Sequence, residues 1–409
     1  METAISLDIF CWVIDNYGDA GVCLHLARSL SKLKLPHGQH FAVRLFCDQP
    51  EVMATLTDLS DTANPNLKLC TWEQPLVGYE PSSVVVSAFS CRFDEVTLKT
   101  LQQHQQRSGQ PLIINLEYLS AEPWVEDCHQ LPSPADGLTS HFFFPGFTPR
   151  TGGLNLDPDF IAQCQAKLGL VSPASATDTE SASATDSAPT PAPYTLSLFG
   201  YDNPAVLRLL QGLAASGREC TLKVFAGLAC DNLNQRLGLT LTVGDSYDYA
   251  PNVHCTVVPM TGHSGYDQTL LKCDFNLVRG EDSIVRAMHT GHPFLWQIYP
   301  QDESAHIVKL NAFLDCMERT LQAQDAAPGS EPCACSNLST RMALLRRAML
   351  SYNEALPQDQ ADPFLEPDFL PRFERECGPL FAAWARYLCA QPTLSQRLSA
   401  FILSKLAAS

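Results

Sequence analysis

The chain of 409 residues is longer than one ordinary hydrophobic core, and its length predicts two domains. An apolar fraction of 45% with 17% charged residues indicates a folded globular protein, not a disordered one. The formal net charge of −17 argues against nonspecific binding to nucleic acid or to an anionic membrane surface.

Apolar, β-rich segments alternate with helical patterns through the first part of the chain. Segments such as ISLDIFCWVI, FAVRLFCD and SSVVVSAFS read as strands, whereas VCLHLARSLSKL and FDEVTLKTLQQHQQ read as helices. This alternation predicts a mainly parallel sheet with helices on both faces. We therefore expect an N-terminal α/β domain over residues 1–170.

A Ser/Ala/Thr/Pro tract, VSPASATDTESASATDSAPTPAP, divides the chain at residues 171–193 and is expected to be a flexible insertion or linker. The alternation then restarts with YTLSLFGY and continues through CDFNLVRG and HPFLWQIYP, which predicts a second α/β domain over residues 194–375. Residues 376–409 read as helices, which we expect to pack back on the N-terminal domain.

The distribution of the cysteines predicts the redox compartment of the protein. The 16 cysteines lie mostly in apolar segments, which is typical of buried, reduced thiols in a cytoplasmic protein. Only Cys333 and Cys335 lie close together, and without a second such pair we expect no metal site. The N-terminus lacks a signal-peptide pattern, and no apolar stretch of about 18 residues predicts a membrane span.

The stretch VIDNYGDAGV carries two carboxylates, Asp15 and Asp19, between a strand and a helical pattern. Ligands of doubly wound sheets bind beyond the carboxyl ends of the strands, so this loop is a candidate site. Two structural explanations stay open: Asp19 as the N-cap of the following helix, and Asp15 as a turn residue.

The stretch CDFNLVRGEDSIVRAM runs from an apolar strand into Arg279, Glu281, Asp282 and Ser283, where a helix begins. Free amide groups at a helix N-terminus favour phosphate, and an arginine adds a charged fork. The alternative is a capping motif in which Asp282 or Ser283 caps the helix and Arg279 forms a local ion pair.

Two further loops follow strands of the second domain. LFGYDNPAV carries Phe199 and Tyr201, and HPFLWQIYPQ carries Tyr299. Taken singly, each side chain is explained as well by core packing or capping. Neither a GxGxxG nor a GxxxxGK[ST] nucleotide fingerprint occurs in the sequence.

These motifs together resemble one known family. IFCWVIDNYGDAGVCLHLAR, NLEYLSAEPWVEDCHQLPS, FFFPGFTPRTGGL, LFGYDN, NLVRGEDSIVRA and PFLWQIYPQ are similar in sequence and order to motifs of the EarP family of protein-arginine rhamnosyltransferases. The resemblance covers nearly the whole chain, apart from residues 171–193 and about 317–340. It implies a GT-B-type α/β fold, with two Rossmann-like domains facing a cleft and a helical C-terminal tail.

The resemblance also implies site roles. Two family aspartates that are critical for function match Asp15 and Asp19, and the second is the proposed general base. A glutamate required for activity matches Glu281. Residues that bind the nucleotide sugar match these positions of the second domain: Phe199, Tyr201, Arg279, Asp282, Ser283 and Tyr299.

The chain departs from the family at the base pocket. The family commonly has an FxxQ pattern there, whereas this sequence has Met260 and His263 in VPMTGHSGYDQ. Methionine can still pack on a base, but it offers no aromatic face for stacking. Base recognition is therefore less firmly implied than the phosphate contacts.

The resemblance implies an inverting, metal-independent transfer of L-rhamnose from dTDP-β-L-rhamnose to an arginine of bacterial translation elongation factor P. The N-terminal domain is then the acceptor side and the second domain the donor side. No cofactor, nucleic acid or membrane partner is expected. The alternatives are a GT-B enzyme that uses another nucleotide sugar, and a non-catalytic α/β protein that binds a nucleotide or a partner.

Overall fold

A computed structural model of the protein describes residues 4–14, 17–109, 111–170, 193–326 and 337–408. Asp15, residues 171–192 of the expected linker, and the pair Cys333 and Cys335 lie outside the described residues. The predictions made for them stay predictions.

The chain divides into two compact units. Unit 1 comprises Met1–Pro158 and Ala390–Ser409, and unit 2 comprises Asp159–Cys389. These limits differ from the predicted boundaries at residues 170 and 375. The helix that contains residue 375 belongs to unit 2, because it packs on the aromatic core of that unit. The last described helix belongs to unit 1.

The described residues of unit 1 form a seven-stranded sheet in the order β3-β2-β1-β4-β5-β7-β6. All neighbours pair in parallel except β6 and β7. The strands are β1 Ala4–Cys11, β2 His40–Cys47, β3 Leu67–Thr71, β4 Val84–Ala88, β5 Leu112–Leu116, β6 Pro132–Ala135 and β7 Leu138–Phe143. The helices of unit 1 are α1 Tyr17–Lys32, α2 Pro50–Leu56, α3 Leu59–Thr62, α4 Glu95–Ser108, α5 Trp124–Cys128 and α14 Leu394–Ala408.

Both faces of this sheet are buried. Successive side chains of a strand point to opposite faces, and neighbouring residues of β1 belong to two different core clusters. Ile9 of β1 belongs to the core cluster that includes residues of α1 and α14. Its neighbour Phe10 belongs to the cluster on the other face, where its ring stacks on Phe46 at 4.7 Å. The apolar run in β1 is thus explained by burial on both sides.

The described residues of unit 2 form a six-stranded sheet in the order β10-β11-β9-β8-β12-β13. Only β10, at the edge, runs antiparallel to its neighbour. The strands are β8 Tyr194–Leu198, β9 Cys220–Phe225, β10 Ser246–Ala250, β11 Val253–Val258, β12 Phe275–Arg279 and β13 Phe294–Gln297. The helices are α6 Pro158–Lys167, α7 Ala205–Ser216, α8 Leu228–Leu237, α9 His263–Lys272, α10 Gly280–Thr290, α11 Ala305–Asp325, α12 Leu338–Tyr352 and α13 Phe369–Cys389.

Packing explains why α6 and α13 belong to unit 2. Lys167 of α6 donates a hydrogen bond to the carbonyl of Leu271 at 2.6 Å. In α13, Phe381 packs on Phe294 of β13 with ring centroids 4.7 Å apart. The helical tail predicted over residues 376–409 is therefore shared: most of α13 completes the core of unit 2, and α14 completes that of unit 1.

The predicted class, α/β with two mainly parallel sheets and C-terminal helices, is confirmed. Because β8, β11, β12 and β13 run in the same direction, their carboxyl ends meet at one edge of the unit 2 sheet. Within the described ranges, no helix combines the length and the apolar character needed to cross a membrane.

Candidate active site

Arg279 lies where β12 turns directly into α10. All five residues of β12 are buried, so sheet packing determines where the Arg279 side chain leaves the backbone. Gly280 takes φ = 59°, a left-handed conformation that glycine adopts without strain, and its carbonyl accepts a hydrogen bond from Trp296 Nε1 at 2.8 Å. The Arg279 N–H donates to Ser283 Oγ at 3.0 Å, which closes the first turn of the helix.

The Arg279 guanidinium is buried against two aromatic rings. Its Cζ lies 4.6 Å from the ring centroid of Phe199 and 4.5 Å from that of Tyr201, both in the loop after β8. The residue is 7% exposed, and its Nη1 has no hydrogen-bond partner within the described part of the chain. An unsatisfied buried donor costs about 1–3 kcal/mol, so this position is suited to an anionic ligand.

The aromatic loop is itself held by neighbouring rings. Phe199 packs on Phe225 and Tyr266, with ring centroids 5.7 and 5.3 Å away. Tyr201 meets Tyr299 edge-on at 5.5 Å, and Tyr299, which follows β13, is 42% exposed. Three predicted donor residues from loops after β8 and β13 therefore surround the end of β12.

A buried charge network lies behind the first turn of α10. The fully buried Arg286 donates from Nε to Asp282 Oδ2 at 2.8 Å and from Nη1 to Asp267 Oδ1 at 2.5 Å. Burial alone lowers the pKa of the Arg286 guanidinium, but the two carboxylates outweigh burial and raise that pKa. His263 Nε2 lies 3.6 Å from Asp282 Oδ2 and joins this network to the start of α9.

The capping alternative for RGEDS is wrong in its details. The N-cap of α10 is Arg279, so Asp282 and Ser283 lie inside the first turn. Asp282 pairs with Arg286 four residues later, and no described carboxylate forms an ion pair with Arg279. Ser283 does contribute to the helix start, through the bond that it accepts from the Arg279 N–H.

The remaining predicted donor residues lie at the same edge of the sheet. Met260 is half-buried in the loop after β11, and His263 is the first residue of α9. Glu281 is half-buried as the second residue of α10. The structure thus places these residues after β11 and β12, and their roles stay predictions.

Asp19 lies in the first turn of α1, at the carboxyl end of β1 in unit 1. It is 3% exposed, and its Oδ2 accepts a hydrogen bond from the Ile14 N–H at 2.8 Å. The structural alternative in which Asp19 is the N-cap is wrong, because α1 begins two residues earlier at Tyr17. The carboxylate instead reaches back from inside the helix to the loop that precedes it.

The sequence of the chain matches one known protein family. The profile of the family described as "Elongation-Factor P (EF-P) rhamnosyltransferase EarP" matches residues 7–403. The chain belongs to the EarP family. The match supports the resemblance predicted from the sequence motifs, and it extends over both units.

Individual proteins that are similar to the chain are also rhamnosyltransferases of this family. A protein-arginine rhamnosyltransferase of Pseudomonas putida is 39% identical over 315 residues, 75% of this chain and 80% of the relative. One of Neisseria meningitidis is 31% identical over 404 residues, 96% of each chain. A solved structure described as "Structural basis for EarP-mediated arginine glycosylation of translation elongation factor EF-P" is 26% identical with a TM-score of 0.56, and covers 98% of this chain and 99% of that one. The GT-B-type class expected for an EarP protein is confirmed.

Sequence patterns alone miss the residues that support this candidate site. Asp267 and Arg286 belong to the charge network, and Gln297 at the end of β13 bonds to the loop that carries Tyr201. The charges four residues apart in Asp282 and Arg286 were visible as a helical pair, but the link to Asp267 in α9 was not. Among the described residues, no three His, Cys, Asp or Glu side chains are grouped as a metal site requires.

Proposed function

We propose that the protein transfers L-rhamnose from dTDP-β-L-rhamnose to an arginine side chain of translation elongation factor P. Membership of the EarP family and the names of the relatives support the reaction. The structural observation that carries the donor assignment is the buried Arg279 guanidinium, which has Nη1 without a partner within the described chain. A diphosphate supplies the anion that this guanidinium needs.

The proposed donor site joins three features at one sheet edge. Arg279 provides a fixed positive charge, and the start of α10 adds backbone amides and the positive end of the helix dipole. The rings of Phe199 and Tyr201 both pack on the guanidinium, and Tyr299 is exposed nearby. We assign the base pocket to Met260 and His263, and the phosphates to Arg279, the backbone amide of Asp282, and Ser283.

The acceptor chemistry is assigned to unit 1. A guanidinium with a pKa above about 12 is a poor nucleophile, because its lone pairs are delocalised and it carries a positive charge. Asp15 is proposed to hold and polarise it, and Asp19 to take a proton as nitrogen attacks the anomeric carbon. The carbon–oxygen bond to the diphosphate breaks in the same displacement, and the configuration inverts.

The leaving diphosphate takes the electron pair of the broken bond. We assign the stabilisation of that developing charge to Arg279, the start of α10 and Tyr299, and we propose that the reaction uses no metal or cofactor. Glu281 is the remaining catalytic candidate. Because the acceptor is a translation factor, we assign the reaction to the cytoplasm, with neither nucleic acid nor membrane as a partner.

The test is incubation of the protein with elongation factor P and a panel of nucleotide sugars, in the presence of EDTA. We expect an intact-mass gain of elongation factor P by one rhamnose with dTDP-β-L-rhamnose only. A gain with another donor would identify a different GT-B enzyme. Donor binding without any gain, in folded protein, would support a non-catalytic binding protein.

A further inference from the structure

Gln297 ends β13 and reaches across the end of β12 to the loop after β8. It is 5% exposed. Its Oε1 accepts from the Tyr201 N–H at 2.8 Å, and its Nε2 donates to the Asp202 carbonyl at 3.0 Å. One side-chain amide thus bonds the backbone of two consecutive residues in the loop after β8, a strand two positions away in the sheet.

The loop is shaped to receive this amide. A Cβ atom at Gly200 would lie 3.1 Å from Gln297 Oε1, closer than most carbon–oxygen contacts, so glycine permits the approach. Asn353 holds the strand end from the other side: its Oδ1 accepts from the Ile298 N–H at 3.0 Å, and its Nδ2 donates to the Trp296 carbonyl at 2.8 Å. The Gln297 side chain therefore starts from a fixed backbone.

The contact determines where the Tyr201 ring lies. That ring faces the Arg279 guanidinium at 4.5 Å, and Tyr299, two residues after Gln297, contacts the ring edge at 5.5 Å. The two bonds from Gln297 fix the backbone of Tyr201 and Asp202 at the end of β13. Loss of these bonds is expected to let the ring face Arg279 for only part of the time.

We propose that Gln297 is a positioning residue for the donor: it holds the Tyr201 loop against Arg279 and thereby sets the affinity for the nucleoside diphosphate part. The inference rests on the proposed function, because it takes Arg279 as the diphosphate ligand. Gln297 acts through the loop and is not assigned a contact with the reacting atoms.

The first variant is Gln297→Met, which keeps the length of the side chain and removes both hydrogen bonds. We expect the Kd for dTDP, measured by calorimetry, to rise about tenfold, the effect of one or two neutral hydrogen bonds. The KM for the donor should rise in parallel, while kcat at saturating donor stays within about threefold. A residue with a merely structural role would not separate KM from kcat.

Gly200→Ala tests the same contact from the loop, since the new methyl group would displace the amide. It should weaken dTDP binding in the same direction, and combining it with Gln297→Met should add little, because both break one contact. This variant also carries the test if Gln297→Met does not fold.

The matched control is Asn252→Ala. Asn252 also uses a side-chain amide for two hydrogen bonds, to the Leu213 and Arg218 carbonyls at 3.0 Å each, but it lies before β11 at the opposite edge of the sheet. It should lower the melting temperature and leave the Kd for dTDP unchanged.

The outcomes are distinct. Folded Gln297→Met and Gly200→Ala that bind dTDP as the wild type does would overturn the role of Gln297 and leave the proposed function intact. A wild-type protein that does not bind dTDP would overturn the donor assignment, and the inference with it. Weakened binding in both variants but not in Asn252→Ala would support the inference.

Discussion

Unit 1 and unit 2 each place a charged residue at the carboxyl edge of a mainly parallel sheet, but they treat that charge differently. In unit 1, the buried carboxylate of Asp19 already accepts a hydrogen bond from the Ile14 N–H. In unit 2, the buried Arg279 is flanked by aromatic rings, and its Nη1 lacks a partner in the described chain. The first arrangement holds a carboxylate in place, whereas the second leaves a buried donor that an anionic ligand would satisfy.

The difference follows from what surrounds each charge. A carboxylate in the first turn of a helix is stabilised by the helix dipole and by backbone N–H groups. An aromatic ring offers a guanidinium face-to-face attraction but no hydrogen-bond acceptor. The geometry around Asp19 thus suits a base that keeps its position, and the geometry around Arg279 suits a ligand-binding cation.

The largest effect is expected for Asp19→Asn. Asparagine keeps an oxygen that can accept from the Ile14 N–H, so the fold of the loop should persist. Loss of the proton acceptor should reduce transfer by about 10²–10⁴-fold, while donor binding is retained. The intact mass of elongation factor P measures transfer, and calorimetry with dTDP measures binding.

Asp94→Asn is the matched control for unit 1, because the Asp94 carboxylate also accepts backbone N–H groups at a helix start, from Val96 and Thr97. It should leave transfer unchanged. Near-normal rhamnosylation by Asp19→Asn would contradict Asp19 as the base and leave it as a structural residue of the first turn.

A pH-dependent loss of stability is expected in unit 2, where His289 lies on α10, the helix that follows Arg279. Burial lowers the pKa of His289 from 6.5 to about 4. The unfolded chain therefore takes up this proton first as pH falls, so stability is full above about pH 6.5 and is lost toward pH 4. The contribution is on the order of 3 kcal/mol.

The free energy of unfolding, measured with urea at pH 7 and pH 4.5, checks this expectation. His289 Nδ1 donates a hydrogen bond to the Val285 carbonyl at 2.7 Å, and the glutamine amide in His289→Gln can still donate that bond. The free energy of unfolding of this variant should therefore fall less on acidification, by most of the His289 contribution. An equal loss in both proteins would show that His289 is not the group that titrates.

Arg279→Ala should weaken dTDP binding by about 10–100-fold, because charge-assisted hydrogen bonds to the diphosphate are lost. Arg218→Ala is the matched control within the same sheet. Arg218 also stacks on an aromatic ring, that of Tyr194 at 4.1 Å, but it precedes β9 at the amino edge. Unchanged affinity in Arg279→Ala would remove this residue from the donor site.

The two regions also differ in how far sequence patterns predict them. The strand-to-helix turn at Arg279 is predicted because FNLV is mostly apolar and RGEDS breaks that pattern. The start of α1 is not predicted at Tyr17, because the glycines of DNYGDAG disfavour a helix and packing of the following residues against the sheet outweighs that preference.

Contacts between distant segments lie beyond sequence patterns. The bond from Gln297 to Tyr201 spans 96 residues, and no local signal pairs an amide at one strand end with a loop two strands away. The division of α13 and α14 between the two units is similar: both helices are amphipathic, and only the partner surface decides where each one packs. Sequence patterns therefore predict which residues lie at the candidate site better than they predict the distant contacts that hold those residues in place.

The smallest effect is expected for Tyr201→Leu, which keeps an apolar side chain but removes the ring face on Arg279. A cation–π contact contributes about 0.5–2 kcal/mol, so dTDP should bind roughly 3–10-fold more weakly, less than after loss of the arginine itself. Tyr249→Leu, in the edge strand β10, is the control and should not change binding. If Tyr201→Leu weakened binding as much as Arg279→Ala does, the ring would have to contact the nucleotide directly. If Tyr201→Leu had no effect on dTDP binding, the position of the Arg279 guanidinium would depend on the sheet and not on the ring. Arg279 and Asp19 would then differ less in how their charges are held than the structure indicates.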